Sequence, residues 1–179
     1  MSFLSNYCDG VARSKHDSVD RMLDAWAAVR PDLELSAMGT FGRFGRVHMW
    51  ASRAVEAVFE RHGLSTGEFD VLAALRRSGE PHVLSPGELS RTLMLSPGGM
   101  TNRLDRLEGM GLVRRAPDPD SRRSLKVVLT PSGLELVDVV VAEHVANETA
   151  LLAGLTVAQR RGLDDALRSL LASLEPDGS

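Results

Sequence analysis

Residues 95–115 read "LSPGGMTNRLDRLEGMGLVRR". Ser96 is a natural N-cap and Pro97 suits the first helical position. Gly98 and Gly99 then follow where better helix formers would be expected. With Leu104 taken as the inward position on a helical wheel, Met100, Leu107 and Gly111 fall on the core side. Gly98, Gly99, Asn102, Arg106 and Gly109 fall on the far side. The outer face is thus small at its leading end and then carries an amide and a guanidinium. A capped helix start alone explains Ser96 and Pro97 but not two successive glycines. A helix pushed into a DNA major groove explains all of them. Glycine lets the backbone approach closely, first-turn N–H groups meet phosphates, and Asn or Arg reads base edges. The expected DNA-facing set here is Ser96, Gly98, Gly99, Thr101, Asn102 and Arg106.

The same punctuation recurs outward from this stretch. "SPGE" at 85–88 caps a short helix over 86–94, and "STGE" at 65–68 caps one reaching Ser78. After Gly111, "LVRRA" (112–116) and "SLKVVL" (124–129) have the Val and Leu content of strands. "PDPDSRR" between them makes a β-hairpin whose tip carries Arg122 and Arg123. Upstream, helices are expected over 17–29, with Val19, Met22, Leu23, Trp26 and Val29 on one stripe, and from Ser36 to His62. Downstream, they are expected over 131–153 and, behind the capping box "TVAQ" (156–159), to Leu174. The expected class is mainly α with a small β-hairpin wing, a winged helix-turn-helix. Residues 1–62 form an N-terminal extension and long helix, 63–129 the DNA-binding module, and 130–179 the C-terminal helices. Four flanking helices exceed what one small reading head needs, so they are assigned to a homodimer.

The chain has 179 residues, 43% hydrophobic and 25% charged, with a net charge of −3. Residues 91–126 hold eight basic and four acidic side chains, a net of +4, which leaves −7 elsewhere. A basic segment in an acidic body fits a polyanion partner, although a solvated charged face has the same composition. No apolar run approaches a membrane span and no signal-peptide core opens the chain, so a cytoplasmic location is expected. Cys8 is the sole cysteine, which excludes an internal disulfide. The five histidines show no metal-ligand spacing, and no nucleophile–base pair or phosphate loop is visible. Neither a metal, a cofactor nor an enzymatic activity is expected.

The stretch "LSPGELSRTLMLSPGGMTNRLDRLEGMGLVRRAPDPDSRRSLKVVLTPSGLEL" resembles the MarR family of winged-helix transcriptional regulators. "DSVDRMLDAWAAVRPDLELSAMGTFGRFGR" is similar to the N-terminal helices of that family's urate-responsive subgroup. The resemblance implies a double-stranded DNA operator, pseudo-palindromic and bound by a homodimer. It also implies release by a small anion such as urate, held by Trp26, Asp70, Arg103 and Arg115. From the residues alone, packing explains Trp26 equally well, and Asp70 and Arg115 would be surface charges. Arg103 leaves the recognition helix sideways, toward neighbouring protein. Family wings usually carry Asp where Ser121 stands, which removes a buttress for Arg122 and Arg123. His48 falls where the subgroup places a histidine near the dimer axis, though a core histidine is the plainer reading. The alternative signals are trans-aconitate or another organic acid, a phenolic compound, or oxidation of Cys8. Cys8 has no adjacent Lys or Arg to lower its pKa.

Overall fold

Polar caps set the helix starts along the chain. A computed structural model describes residues 16–118 and 121–175, and of residues 97 and 121–124 the backbone only. Cys8 lies outside the described residues. Asp17, Ser65, Ser85 and Thr156 each form a full capping box with the residue three positions on: Asp20, Glu68, Glu88 and Gln159. Ser96 and Thr130 cap singly. Such caps stabilise by about 1 kcal/mol each.

The helices are α1 (Ser18–Val29), α2 (Ser36–Glu60), α3 (Thr66–Arg77), α4 (Pro86–Thr92), α5 (Pro97–Gly109), α6 (Pro131–Leu151) and α7 (Val157–Leu174). The strands are β1 (Val83–Leu84), β2 (Val113–Asp118) and β3 (Ser121–Leu129). The class is as expected: helical, with a small antiparallel wing. The wing differs in having a third strand. The two residues of β1 pair with β3, Val83 opposite Val128 and Leu84 opposite Val127, giving the order β1–β3–β2. Two residues are too few to show an alternation, which is why this strand is invisible in the sequence. The hairpin strands also run further toward the tip than expected, to Asp118 and from Ser121.

The chain divides into two compact units, Met1–Trp50 and Ala51–Ser179. The boundary falls inside α2. In the first unit α1 packs on the start of α2. Ideal Cβ atoms on Gly39 and Gly42 would lie 3.0 Å from Leu23 and 3.1 Å from Val19, so these small residues admit the α1 stripe. Arg43 ties the pair with ion bridges to Asp17 and Asp20. Val19 is buried, whereas Trp26 and Val29 at the other end of the stripe are exposed.

The second unit holds the reading head. Leu72 and Leu75 of α3, Leu89 of α4, Met100, Leu104 and Leu107 of α5, and Val127 of β3 are buried together with Val137 and Val140 of α6. Each large aliphatic side chain buried in this way contributes roughly 1.5–3 kcal/mol. Gly111 was expected on the core face but is exposed; its φ of +72° ends the helix and turns the chain into β2. Helix α7 has no buried residue, and its Leu163, Leu167, Leu170, Leu171 and Leu174 are all exposed.

Candidate nucleic-acid interface and effector site

The face of α5 follows the wheel. Met100, Leu104 and Leu107 are buried, while Ser96, Gly98, Thr101, Asn102 and Arg106 are exposed and Gly99 is half-buried. Among the described residues nothing lies within 4 Å of a Cβ built on Gly98. The chain itself therefore does not require glycine there. Ser96 Oγ accepts from Gly99 N at 3.3 Å. Because position three is glycine and not glutamate, no carboxylate stands at this N-terminus. A capping-box glutamate, as at α3 and α4, would repel a phosphate where α5 leaves the helix dipole unopposed. Arg122 and Arg123 fall on β3, at positions whose side chains are not described.

Two arginines of α5 reach the first turn of α3. Arg103 is half-buried, its Nη1 donating weakly to Gly67 O at 3.5 Å. Arg106 pairs through Nε with Glu68 Oε1 at 2.9 Å. Asp70 lies one turn along α3 and is half-buried, because α5 and α6 cover the side that the wheel leaves open. Burial pushes its carboxyl up, against the opposing fields of Arg103, Arg77 and His144. Asp70 thus lies within the field of Arg103.

Arg115 is not brought to Arg103. Its guanidinium pairs with Asp105 at 2.6 Å and Glu108 at 2.9 Å and reaches Thr101 O. At about 100° per residue, Thr101, Asp105 and Glu108 stand on the face of α5 roughly opposite Arg103. The expected surface charge is instead a strut: its backbone N–H also donates to Glu108 Oε1 at 2.7 Å, joining β2 to the end of α5. Trp26 lies on α1 in the first unit and is 43% exposed. His48 is exposed on α2, not a core residue of this chain.

Beside Arg103 is a hollow of about 320 Å³ lined by Glu56 and Glu60 of α2, Leu64, and Ser65, Thr66 and Gly67 at the start of α3. Its charge is mixed: two carboxylates, one guanidinium and a helix N-terminus. Glu56, Glu60 and Glu68 carry no local signal in the sequence beyond the capping role of Glu68. They stand near one turn of α3, Glu56 and Glu60 lining the hollow and Glu68 paired with Arg106 of α5.

Comparison with known proteins places this geometry. The MarR family model matches residues 62–124, the span from the end of α2 into the wing. The chain is 38% identical over 162 residues to the HTH-type transcriptional regulator PecS of Dickeya dadantii (strain 3937), covering 90% of this chain and 95% of that one. The chain belongs to the MarR family. The fold of this MarR protein also matches a MarR family regulator from Streptomyces coelicolor solved in complex with DNA. The TM-score there is 0.71 at 20% identity, covering 82% and 92% of the two chains. Bordetella bronchiseptica BpsR, whose DNA binding is regulated by 6-hydroxynicotinic acid, matches with a TM-score of 0.64 at 24% identity, covering 80% and 98%. The relatives matched here are described as transcriptional regulators. Among the described residues no helix is long and apolar enough to cross a membrane.

Proposed function

We propose that this MarR protein is a homodimeric repressor that binds a pseudo-palindromic operator and is released by a small planar anion of the urate type. The observation that carries the DNA reading is the leading end of α5. It has an exposed Asn102 and Arg106, open space before Gly98 and an N-terminus without a carboxylate. In this reading Ser96, Gly98, Gly99 and Thr101 meet the backbone, Asn102 and Arg106 read bases, and Arg122 and Arg123 of the wing meet phosphates or the minor groove. Dimerisation is supported by apolar side chains left uncovered on both terminal regions: Phe41, Phe44 and Val47 of α2, and the leucines of α7. His48 stands within the exposed α2 stretch and is assigned to that interface.

The effector reading rests on Asp70, Arg103 and the adjoining hollow. Urate is planar and carries one negative charge together with several N–H donors. Arg103 and the first N–H groups of α3 suit its charged edge, and Glu56 and Glu60 can accept from its N–H groups. A polycarboxylate such as trans-aconitate would meet the same two carboxylates as repulsion. Capture of Arg103 by the ligand changes its hold on Gly67, and so the seat of α5. That difference between bound and free shapes is what release requires. Arg115, on the far flank, holds α5 to the wing and transmits that movement.

Fluorescence anisotropy of a labelled operator duplex tests this reading. Urate should weaken DNA binding by about 5–150-fold, the usual size of such linkage, and trans-aconitate should not. Arg103→Ala should bind DNA but lose the response. Quenching by urate that is absent from Trp26→Phe assigns the indole to the site. A urate response that survives Arg103→Ala contradicts the site.

A further inference from the structure

Glu68 is one of two buried polar side chains among the described residues, and the cap of α3 uses only half of it. Its Oε2 accepts from Ser65 N at 2.8 Å, while its backbone N–H donates to Ser65 Oγ at 3.3 Å. These bonds fix the carboxylate from its own helix. The other oxygen, Oε1, faces α5 and lies 2.9 Å from Arg106 Nε. The Glu68 side chain is 4% exposed and that of Arg106 is 63% exposed. An anchored, desolvated anion therefore holds the base of a guanidinium whose far end stands in solvent.

We infer that Glu68 is a positioning residue for DNA recognition, aiming the Nη end of Arg106 at base edges. The inference rests on the assignment of Arg106 as a base reader. The ion pair is made through Nε, and most of the Arg106 side chain remains exposed, so the Nη groups are left for a partner outside the chain. That Nη fork is the part that recognises guanine O6 and N7. Arginine has a long flexible stem, and reading a base requires that freedom to be given up on binding. A pairing already made in the free protein removes part of that loss. It also limits the directions in which the fork can point, so it bears on discrimination more than on overall affinity. A bare alanine-like support at position 68 would leave Arg106 to any nearby phosphate.

Glu68→Gln separates this role from capping, because glutamine still accepts from Ser65 N but carries no charge. Binding is measured for the unmodified protein, Glu68→Gln, Arg106→Ala and the double variant. The probes are a duplex selected by the full-length protein from a random pool, its single base-pair variants, and a scrambled duplex. Glu68→Gln should weaken selected-site binding about five- to tenfold, a coupling of the size seen between contacting residues. It should leave binding to the scrambled duplex unchanged. Discrimination should fall at the base pair whose preference Arg106→Ala also erases, and Glu68→Gln should add nothing in the Arg106→Ala background. A uniform loss on every duplex, or a full additional loss in the double variant, overturns the inference and makes Glu68 a structural cap. If Arg106→Ala leaves selected-site binding intact, the assignment of Arg106 itself is wrong and the inference fails with it.

Discussion

Gly67 and Arg103 are packed so closely that no side chain fits between them: a Cβ on Gly67 would lie 2.3 Å from Arg103 Cζ and 2.6 Å from its Nε. The atoms in the way are the end of a flexible side chain, so alanine at 67 displaces the arginine and leaves the helix in place. Gly67→Ala should change stability by no more than about 1 kcal/mol. It should nevertheless blunt the urate response to the level of Arg103→Ala. Thermal unfolding and operator anisotropy, with and without urate, check the two halves. A full urate response in Gly67→Ala would show that the position of Arg103 is not what the ligand acts on.

Gly133 presents the opposite case. A Cβ there would meet the backbone oxygen of Leu112 at 2.0 Å and Leu129 Cδ1 at 2.9 Å. The same oxygen accepts from Thr130 N at 3.1 Å and Thr130 Oγ1 at 3.0 Å, so it cannot retreat without breaking the cap of α6. Gly133→Ala should destabilise by about 3 kcal/mol, or roughly 6–12 °C in Tm. A shift of under two degrees would mean that α6 is not seated on the end of the reading head as described.

Asp70 gives a pH-dependent signature. Burial raises its carboxyl above the ordinary range despite Arg103, Arg77 and His144. The folded state therefore takes up this proton at a higher pH than the unfolded state does. Its contribution is favourable at low pH and is lost as pH rises through the folded value. Asp70→Asn removes that loss. The variant should melt higher than the unmodified protein at pH 7, and the gap should close as pH falls toward the ordinary aspartate value of about 4. A lower Tm for Asp70→Asn at pH 7 would show that attraction to Arg103 outweighs burial.

Much of this architecture is legible in the sequence because local chemistry and tertiary packing agree. The capping serines, Pro86, Pro97 and the apolar period place α3, α4 and α5 within one or two residues. What was not legible depends on contacts distant in sequence. β1 exists because β3 offers an edge, not because Val83 and Leu84 have a pattern. Asp70 reads as a surface residue until α5 and α6 cover it. Arg115 and Arg103 look like partners in a single site, yet α5 stands between them, with Asp105 and Glu108 claiming the first and Gly67 the second. The Glu68–Arg106 pair spans 38 positions and joins two motifs that the sequence presents separately.

The central claim is that α5 reads DNA as one half of a two-fold pair. The most direct measurement is selection by the full-length protein from a pool of random duplexes, followed by sequencing of the bound fraction. The account predicts an inverted repeat whose half-site centres lie about one helical turn, roughly 34 Å, apart, with enrichment abolished in the Asn102→Ala/Arg106→Ala variant. An enriched pool with a single unrepeated half-site, or one that the double variant selects equally well, would contradict it.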